Sequence, residues 1–206
     1  MIPLLTRKEM LRVAREMGRA LAAIHGIGFA HAGFLDDELR VLGPVDLGRA
    51  GLLDYLRLCL VEGIGGARLG PGLTARLLAY VAREGDRLEA WLGRPCLTHA
   101  DFNVDNIMVP RGRVLRVAVL DWEFAFSGSP AFDFGHLLRP PLGRRSAFLR
   151  ELTAAYQEAG GYLPPDWQAI ARIADLYAWA DFLARPRASP ALIADARRMI
   201  QRTIEA

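Results

Sequence analysis

Lysine is almost missing from this 206-residue chain. Of its 26 Lys and Arg residues all but Lys8 are arginine. Those arginines are scattered among Asp and Glu, and the net charge is +3. Arg111, Arg113 and Arg116 form one local basic stretch that reads as a solvated turn, so nucleic acid is not expected as a partner. Cysteine is scarce too. Cys59 and Cys96 lie far apart in apolar segments and read as buried thiols of a cytoplasmic protein, not as a disulfide framework or a metal site. No segment reaches the roughly 18 uncharged apolar residues of a membrane span. The opening Met1-Ile2-Pro3-Leu4-Leu5 is too short for a secretory signal and runs into a capped helix. His25, His31 and His136 fall in no metal-ligand spacing with Cys or acidic partners, which argues against zinc. Ser127 and Ser129 lack the strand-turn-helix context of a serine nucleophile.

What is present is a helical pattern in one domain covering 1–206. The hydrophobic content of 52% is ample for a core. Thr6-Arg7-Lys8-Glu9 is a capping box, followed by Met10, Leu11, Ala14, Met17, Leu21 and Ile24 at helical spacing as far as His25-Gly26. Residues 26–51 carry Gly, Pro and Asp at short intervals and read as an irregular excursion. Helices are expected over 52–61 and 73–92. The pattern then changes at 96–121. Pro95 to Thr98 is extended, Ile107 to Val109 is a short strand, Pro110 to Arg113 a turn, and Val114 to Leu120 a second strand. Helices follow at about 131–138, 145–159, 166–184 and 190–205. The fold expected is mainly α with a small β-hairpin.

Chemistry concentrates in that β segment. The run from His99 to Met108 reads H-x-D-x-x-x-x-N, and Asp121 ends the next strand, followed by Trp122 and Glu123. Asp101, in a loop after a strand, suits a general base accepting a hydroxyl proton. A loop Asp capping its own turn is the plainer reading of that residue taken alone. Asn106 offers an amide oxygen to a hard cation, or else closes the loop through backbone bonds. Asp121 emerges from the apolar run Val117-Ala118-Val119-Leu120, a costly place for a carboxylate without a partner or metal. His99 reads first as a structural ring holding the loop, with acid/base catalysis as the alternative. Glu123 suits a second metal site or a salt bridge equally. Asp105 reads as loop-structural or substrate-facing. Asp133, at a helix start after Gly128-Ser129-Pro130, reads as a brace for the loop. A base, an amide and a second carboxylate are what phosphoryl transfer from a nucleotide requires.

The stretch Leu97 to Val109, with Val119-Leu120-Asp121-Trp122-Glu123-Phe124-Ala125 and Gly128-Ser129-Pro130-Ala131-Phe132-Asp133, closely resembles the aminoglycoside phosphotransferase family, related to choline and homoserine kinases. The segment Leu21-Ala22-Ala23-Ile24-His25 resembles that family's first C-terminal-lobe helix. The resemblance implies a protein-kinase-like fold, ATP as donor, Mg²⁺, and a small hydroxylated metabolite as acceptor. It implies Asp101 as catalytic base, Asn106 and Asp121 as metal ligands, and Met108 and Leu120 as the floor under the nucleotide base. The family's N-terminal β lobe, with its covering loop and strand lysine, has no counterpart here. Lys8 sits in a helix. The chain therefore resembles the C-terminal lobe alone, with the N-terminal β lobe absent. Weak activity of the isolated chain is expected, along with a lobe face open to a second chain or to a homodimer. The competing expectation is a catalytically incompetent lobe serving as a binding module. A metal-dependent hydrolase using Asp101, Asn106 and Asp121 directly is a third. Asp166, Asp175 and Asp181, with Trp167, Tyr177 and Trp179, are candidates for the acceptor wall, although the pattern of those aromatics favours core.

Overall fold

The computed structural model of the protein describes residues 6–109 and 116–206. Its first helix, α1 (Arg7–His25), starts on the capping box foreseen in the sequence. The Thr6 side chain accepts the Glu9 N–H at 3.3 Å, and Glu9 Oε2 accepts the Thr6 N–H at 2.8 Å. Two amides left free by the helix start are thereby satisfied. Its buried stripe includes Val13, Ala14, Met17, Leu21 and Ile24.

The segment after α1 contains a two-residue strand, β1 (Gly33–Phe34). Helix α2 (Arg49–Arg57) continues into a wider π-turn over Leu58–Glu62. Two further helices, α3 (Gly65–Leu69) and α4 (Pro71–Glu84), follow. The single helix expected over 73–92 tightens at Gly85–Leu88 into a 3₁₀ turn before a short α5 (Glu89–Leu92). Then come β2 (Cys96–Thr98), β3 (Ile107–Met108), β4 (Ala118–Val119) and β5 (Phe126–Gly128). The chain closes with α6 (Pro130–Leu137), α7 (Ser146–Glu158), α8 (Trp167–Ala174), α9 (Leu176–Ala184) and α10 (Pro190–Ile204). One helix was expected where α8 and α9 lie. The break falls at Asp175, whose buried carboxylate is taken up by Arg139 and the Trp179 indole.

Two small antiparallel sheets carry the site. The expected hairpin pairs Ile107 with Val119 and Met108 with Ala118. The turn foreseen at Pro110–Arg113 and the start of the second strand at Val114 lie outside the described residues, as do Arg111 and Arg113. A three-stranded sheet in the order β1-β5-β2 was not foreseen. It sets Gly33 opposite Ser127 and Thr98 opposite Phe126. Strands β1 and β5, of two and three residues, are too short to show alternation, so they left no trace in the pattern.

The core lies beneath this β layer. Helix α1 crosses α7 at Gly18, where an added Cβ would collide with the Leu152 carbonyl oxygen. The buried Phe134 ring on α6 packs against Tyr156 at 5.0 Å and against Trp91 and Trp167 at 5.3 Å each. Contacts of this size and geometry add to area burial. They anchor α6 directly under the His99 loop.

Candidate active site

The loop after β2 is assembled on Asp133. This fully buried carboxylate accepts the backbone N–H of His99 at 3.0 Å and of Ala100 at 2.8 Å. His25 Nε2 lies 3.0 Å from Asp133 Oδ2, and its Nδ1 lies 3.0 Å from the Tyr156 hydroxyl. The brace read in the sequence is thus in place, with a histidine behind it that the sequence did not single out. The reversal it holds is tight. Ala100 has φ +62°, the left-handed region that a residue with a Cβ occupies only when its surroundings compel it.

His99 is fully buried. Its Nε2 donates to the Leu120 carbonyl at 2.8 Å, and its Nδ1 accepts the Asp101 N–H at 3.2 Å. Both ring nitrogens are spent on backbone groups, and this corrects the acid/base alternative for His99. The ring ties the loop to the end of β4 and leaves no nitrogen for proton transfer. The Trp122 ring stacks edge-on against it at 4.8 Å.

Asp101 and Asn106, five residues apart, are locked together. Asn106 Nδ2 donates to Asp101 Oδ2 at 2.7 Å and to the Asp101 carbonyl at 3.0 Å. Asn103 Nδ2 donates to Asp101 Oδ1 at 2.7 Å, while Asn103 Oδ1 caps the following turn by accepting the Asp105 N–H at 2.8 Å. His136 Nδ1 approaches Asp101 Oδ1 to 3.3 Å. Burial pushes the Asp101 carboxyl upward, but His136, Asn106 and Asn103 together outweigh it and hold the group below the ordinary carboxylate range. The side chain is therefore an ionised, oriented acceptor at neutral pH.

Asp121 follows on the far strand. The Leu120 N–H donates to the Asn106 carbonyl at 2.9 Å, extending the β3–β4 ladder by one rung, and Asp121 is the next residue. It is exposed, with φ +64°, and its carboxylate makes no hydrogen bond to the described residues. The Asn106 amide oxygen likewise accepts no hydrogen bond from them. These are hard oxygen donors of the kind a Mg²⁺ ion prefers. Glu123 and Asp105 are exposed. Met108 and Leu120 are 51% and 41% exposed on the same hairpin, so each offers an apolar surface to solvent.

Asp175 does not face an acceptor. It is buried, gripped by Arg139 through Nε at 3.0 Å and Nη2 at 2.6 Å and by Trp179 Nε1 at 2.6 Å. Trp179 is buried and Trp167 packs on Phe134, in keeping with the core reading. Tyr177 and Asp181 are half-buried. A cavity of about 400 Å³ lies behind the loop against His25, Trp91, Arg94 and Tyr156, away from Asp101. Sequence reasoning passed over Asn103 and His136. The signal for His136 was its place one helical turn after Asp133.

A sequence model of the phosphotransferase enzyme family matches residues 4–175. The chain belongs to this family. The macrolide 2'-phosphotransferase of Brachybacterium faecium is 25% identical at a TM-score of 0.59, covering 92% of this chain and 59% of that one. An ADP-bound aminoglycoside phosphotransferase is 21% identical at a TM-score of 0.57, covering 98% and 66%. At that lower identity the likeness is one of fold, and the fold is the kinase-like one. Acyl-CoA dehydrogenase family member 11 of Rattus norvegicus is 40% identical over 60 residues, which is 25% of this chain and 8% of that protein. This member of the phosphotransferase family thus spans about three fifths to two thirds of these two solved chains. Among its described residues no helix is long and apolar enough to cross a membrane.

Proposed function

We propose that this chain is the C-terminal, catalytic lobe of an ATP- and Mg²⁺-dependent phosphotransferase acting on a hydroxyl of a small molecule. The observation that carries the reading is the lock between Asp101 and Asn106, with Asp121 tied one residue beyond the His99–Leu120 bond. Asp101 accepts the proton as the acceptor oxygen forms its bond to the γ-phosphorus and the bridging P–O bond to ADP breaks. Asn106 and Asp121 would hold Mg²⁺, which would supply positive charge against the phosphates when bound. Among the described residues no three His, Cys, Asp or Glu side chains cluster as a metal cage. Met108 and Leu120 would lie under the nucleotide base.

A lysine-bearing β lobe would come from beyond these 206 residues. The exposure of Met108, Leu120, Trp122 and Phe124 beside the site supports that arrangement. A homodimer through this face is the alternative occupant. A cytoplasmic enzyme fits this donor.

The test is ADP formation from Mg²⁺-ATP across a panel of hydroxylated acceptors. Asp101→Asn is expected to cut kcat by about 10²- to 10⁴-fold at unchanged nucleotide affinity, as loss of a general base requires. Turnover of Asp101→Asn near wild type would remove the base assignment. Calorimetry showing no heat with millimolar Mg²⁺-ATP would favour a binding module instead.

A further inference from the structure

We propose that His136 is a positioning residue for the candidate base, presenting an Nδ1 proton to Asp101 Oδ1 while Asp175, held by Arg139, stays out of hydrogen-bond reach on the other side of the ring; this rests on the phosphotransferase reading above. His136 sits on α6 and is only 7% exposed. Its Nδ1 is the one buried side-chain polar atom among the described residues with no aligned hydrogen bond. Yet that atom is 3.3 Å from Asp101 Oδ1. Leaving a buried donor unmade costs about 1–3 kcal/mol. Such a group is retained where a partner completes it, and catalytic hydrogen bonds are often loose until substrate is bound. A small rotation of either side chain closes this one.

The other face of the ring fixes the direction. His136 Nε2 is 3.9 Å from Asp175 Oδ1, beyond hydrogen-bond reach. Asp175 cannot move toward it, because Arg139 and the Trp179 indole hold both of its oxygens. The Arg139 guanidinium is itself stacked 4.3 Å over the Trp179 ring. The charged groups facing His136 are therefore Asp101 from the loop and Asp175, with Arg139 behind it, from the α8–α9 junction. Carboxylates only accept, and the nearer one takes the proton. Asp101 then has a donor from each of three side chains, Asn103 and His136 on Oδ1 and Asn106 on Oδ2, which fixes the plane of the carboxylate. A single helix thus sets the loop twice, its backbone through Asp133 and its reactive side chain through His136.

Ring ¹⁵N NMR of the whole chain reads this without a substrate. The expected spectrum has His136 protonated at Nδ1, with that resonance moving in Asp101→Asn. A ring protonated at Nε2 alone overturns the proposal. Kinetics give a second reading through amide mimics. Asparagine places its NH₂ near the Nδ1 position and glutamine near Nε2. His136→Gln should lose about 10- to 100-fold in kcat with KM for ATP unchanged, the scale of a misplaced catalytic group, and His136→Asn should recover most of it. Equal loss in both variants, or none in His136→Gln, also overturns it. A wild-type chain that neither binds Mg²⁺-ATP nor transfers a phosphoryl group would sink the parent reading, and the NMR result would stand apart from it.

Discussion

Two aspartates of this site are held by opposite kinds of partner, and each takes its role from them. Asp133 is fully buried and its oxygens are filled by backbone N–H groups and His25, so it can only organise. Asp101 is partly open and held by side chains, as the proposed base must be. The two left-handed residues of the site, Ala100 and Asp121, flank the anchors that compel them, since His99 directly precedes Ala100 and its ring donates to the carbonyl of Leu120, which directly precedes Asp121. Such positions cost on the order of 1–3 kcal/mol and persist where the surroundings over-determine them. Cys96, directly beneath the loop, gives a test of how closed this region is. Burial first, and then the Asp133 carboxylate, push its thiol from 9.0 to about 12, against the opposing hydrogen bond with Thr98. The folded value lies above the unfolded one, so the stability is complete below pH 9 and is lost as pH rises toward 12. One such group contributes at most about 1.4 kcal/mol per pH unit in that window. Burial also raises Tyr55, Tyr156 and Tyr177, which act in the same direction at higher pH. Urea midpoints at pH 8 and pH 10.5 should therefore converge for Cys96→Ala relative to wild type. An equal drop in both proteins would mean that the thiol is not shielded.

The helices were legible in the sequence wherever period and punctuation agreed. Thr6 and Glu9 mark the start of α1, and the helix expected over 190–205 is α10, whose Ser189 N-cap accepts the Leu192 N–H. The hairpin was legible because its strands carry β-branched residues between polar ends. The β1-β5-β2 sheet was not, since its pairing is decided by where β1 and β5 meet in space and not by any local preference. Nor was the break at Asp175, because only the fold brings Arg139 within reach of it. The site divides the same way. Asp101, Asn106 and Asp121 stand in a local motif, whereas His25 meets Asp133 from 108 residues away and His136 meets Asp101 from 35, contacts that only the fold creates. The element-scale prediction concerns the α1–α7 crossing. On an exposed helix Gly→Ala gains up to about 1 kcal/mol. At Gly18 the new Cβ would meet the Leu152 backbone, which cannot swing aside as a side chain can. Gly18→Ala is expected to destabilise by about 1–3 kcal/mol through forced separation of the helices. Denaturant unfolding measures it, and a neutral or stabilising result would show a looser crossing than the one described.

At the scale of the whole molecule, what is left uncovered is as informative as what is packed. Phe34 and Leu42 are 67% and 71% exposed on the 26–51 excursion, joined by the hydrogen bond from the Leu42 N–H to the Phe34 carbonyl. Phe34 also packs on Phe126, so this apolar surface is backed by the sheet that leads into the His99–Asn106 loop. On the hairpin Met108, Leu120, Trp122 and Phe124 form a second exposed set beside the proposed metal ligands. Contiguous apolar surface of this kind marks a binding face or an aggregation risk, and the net charge of +3 is too small to prevent association. The hairpin set is the one a covering lobe would use. Its removal should therefore change self-association and nucleotide binding together, while removal of the excursion set should change self-association alone. Sedimentation velocity of the chain is expected to show reversible association in the micromolar range, about −8 kcal/mol. Trp122→Ser with Phe124→Ser should weaken it and lower affinity for Mg²⁺-ATP, and Phe34→Ser with Leu42→Ser should leave the nucleotide affinity untouched. If the hairpin pair altered neither quantity, the face beside Asp121 would be an ordinary wetted surface and the place proposed for a second lobe would have to be sought elsewhere on the molecule.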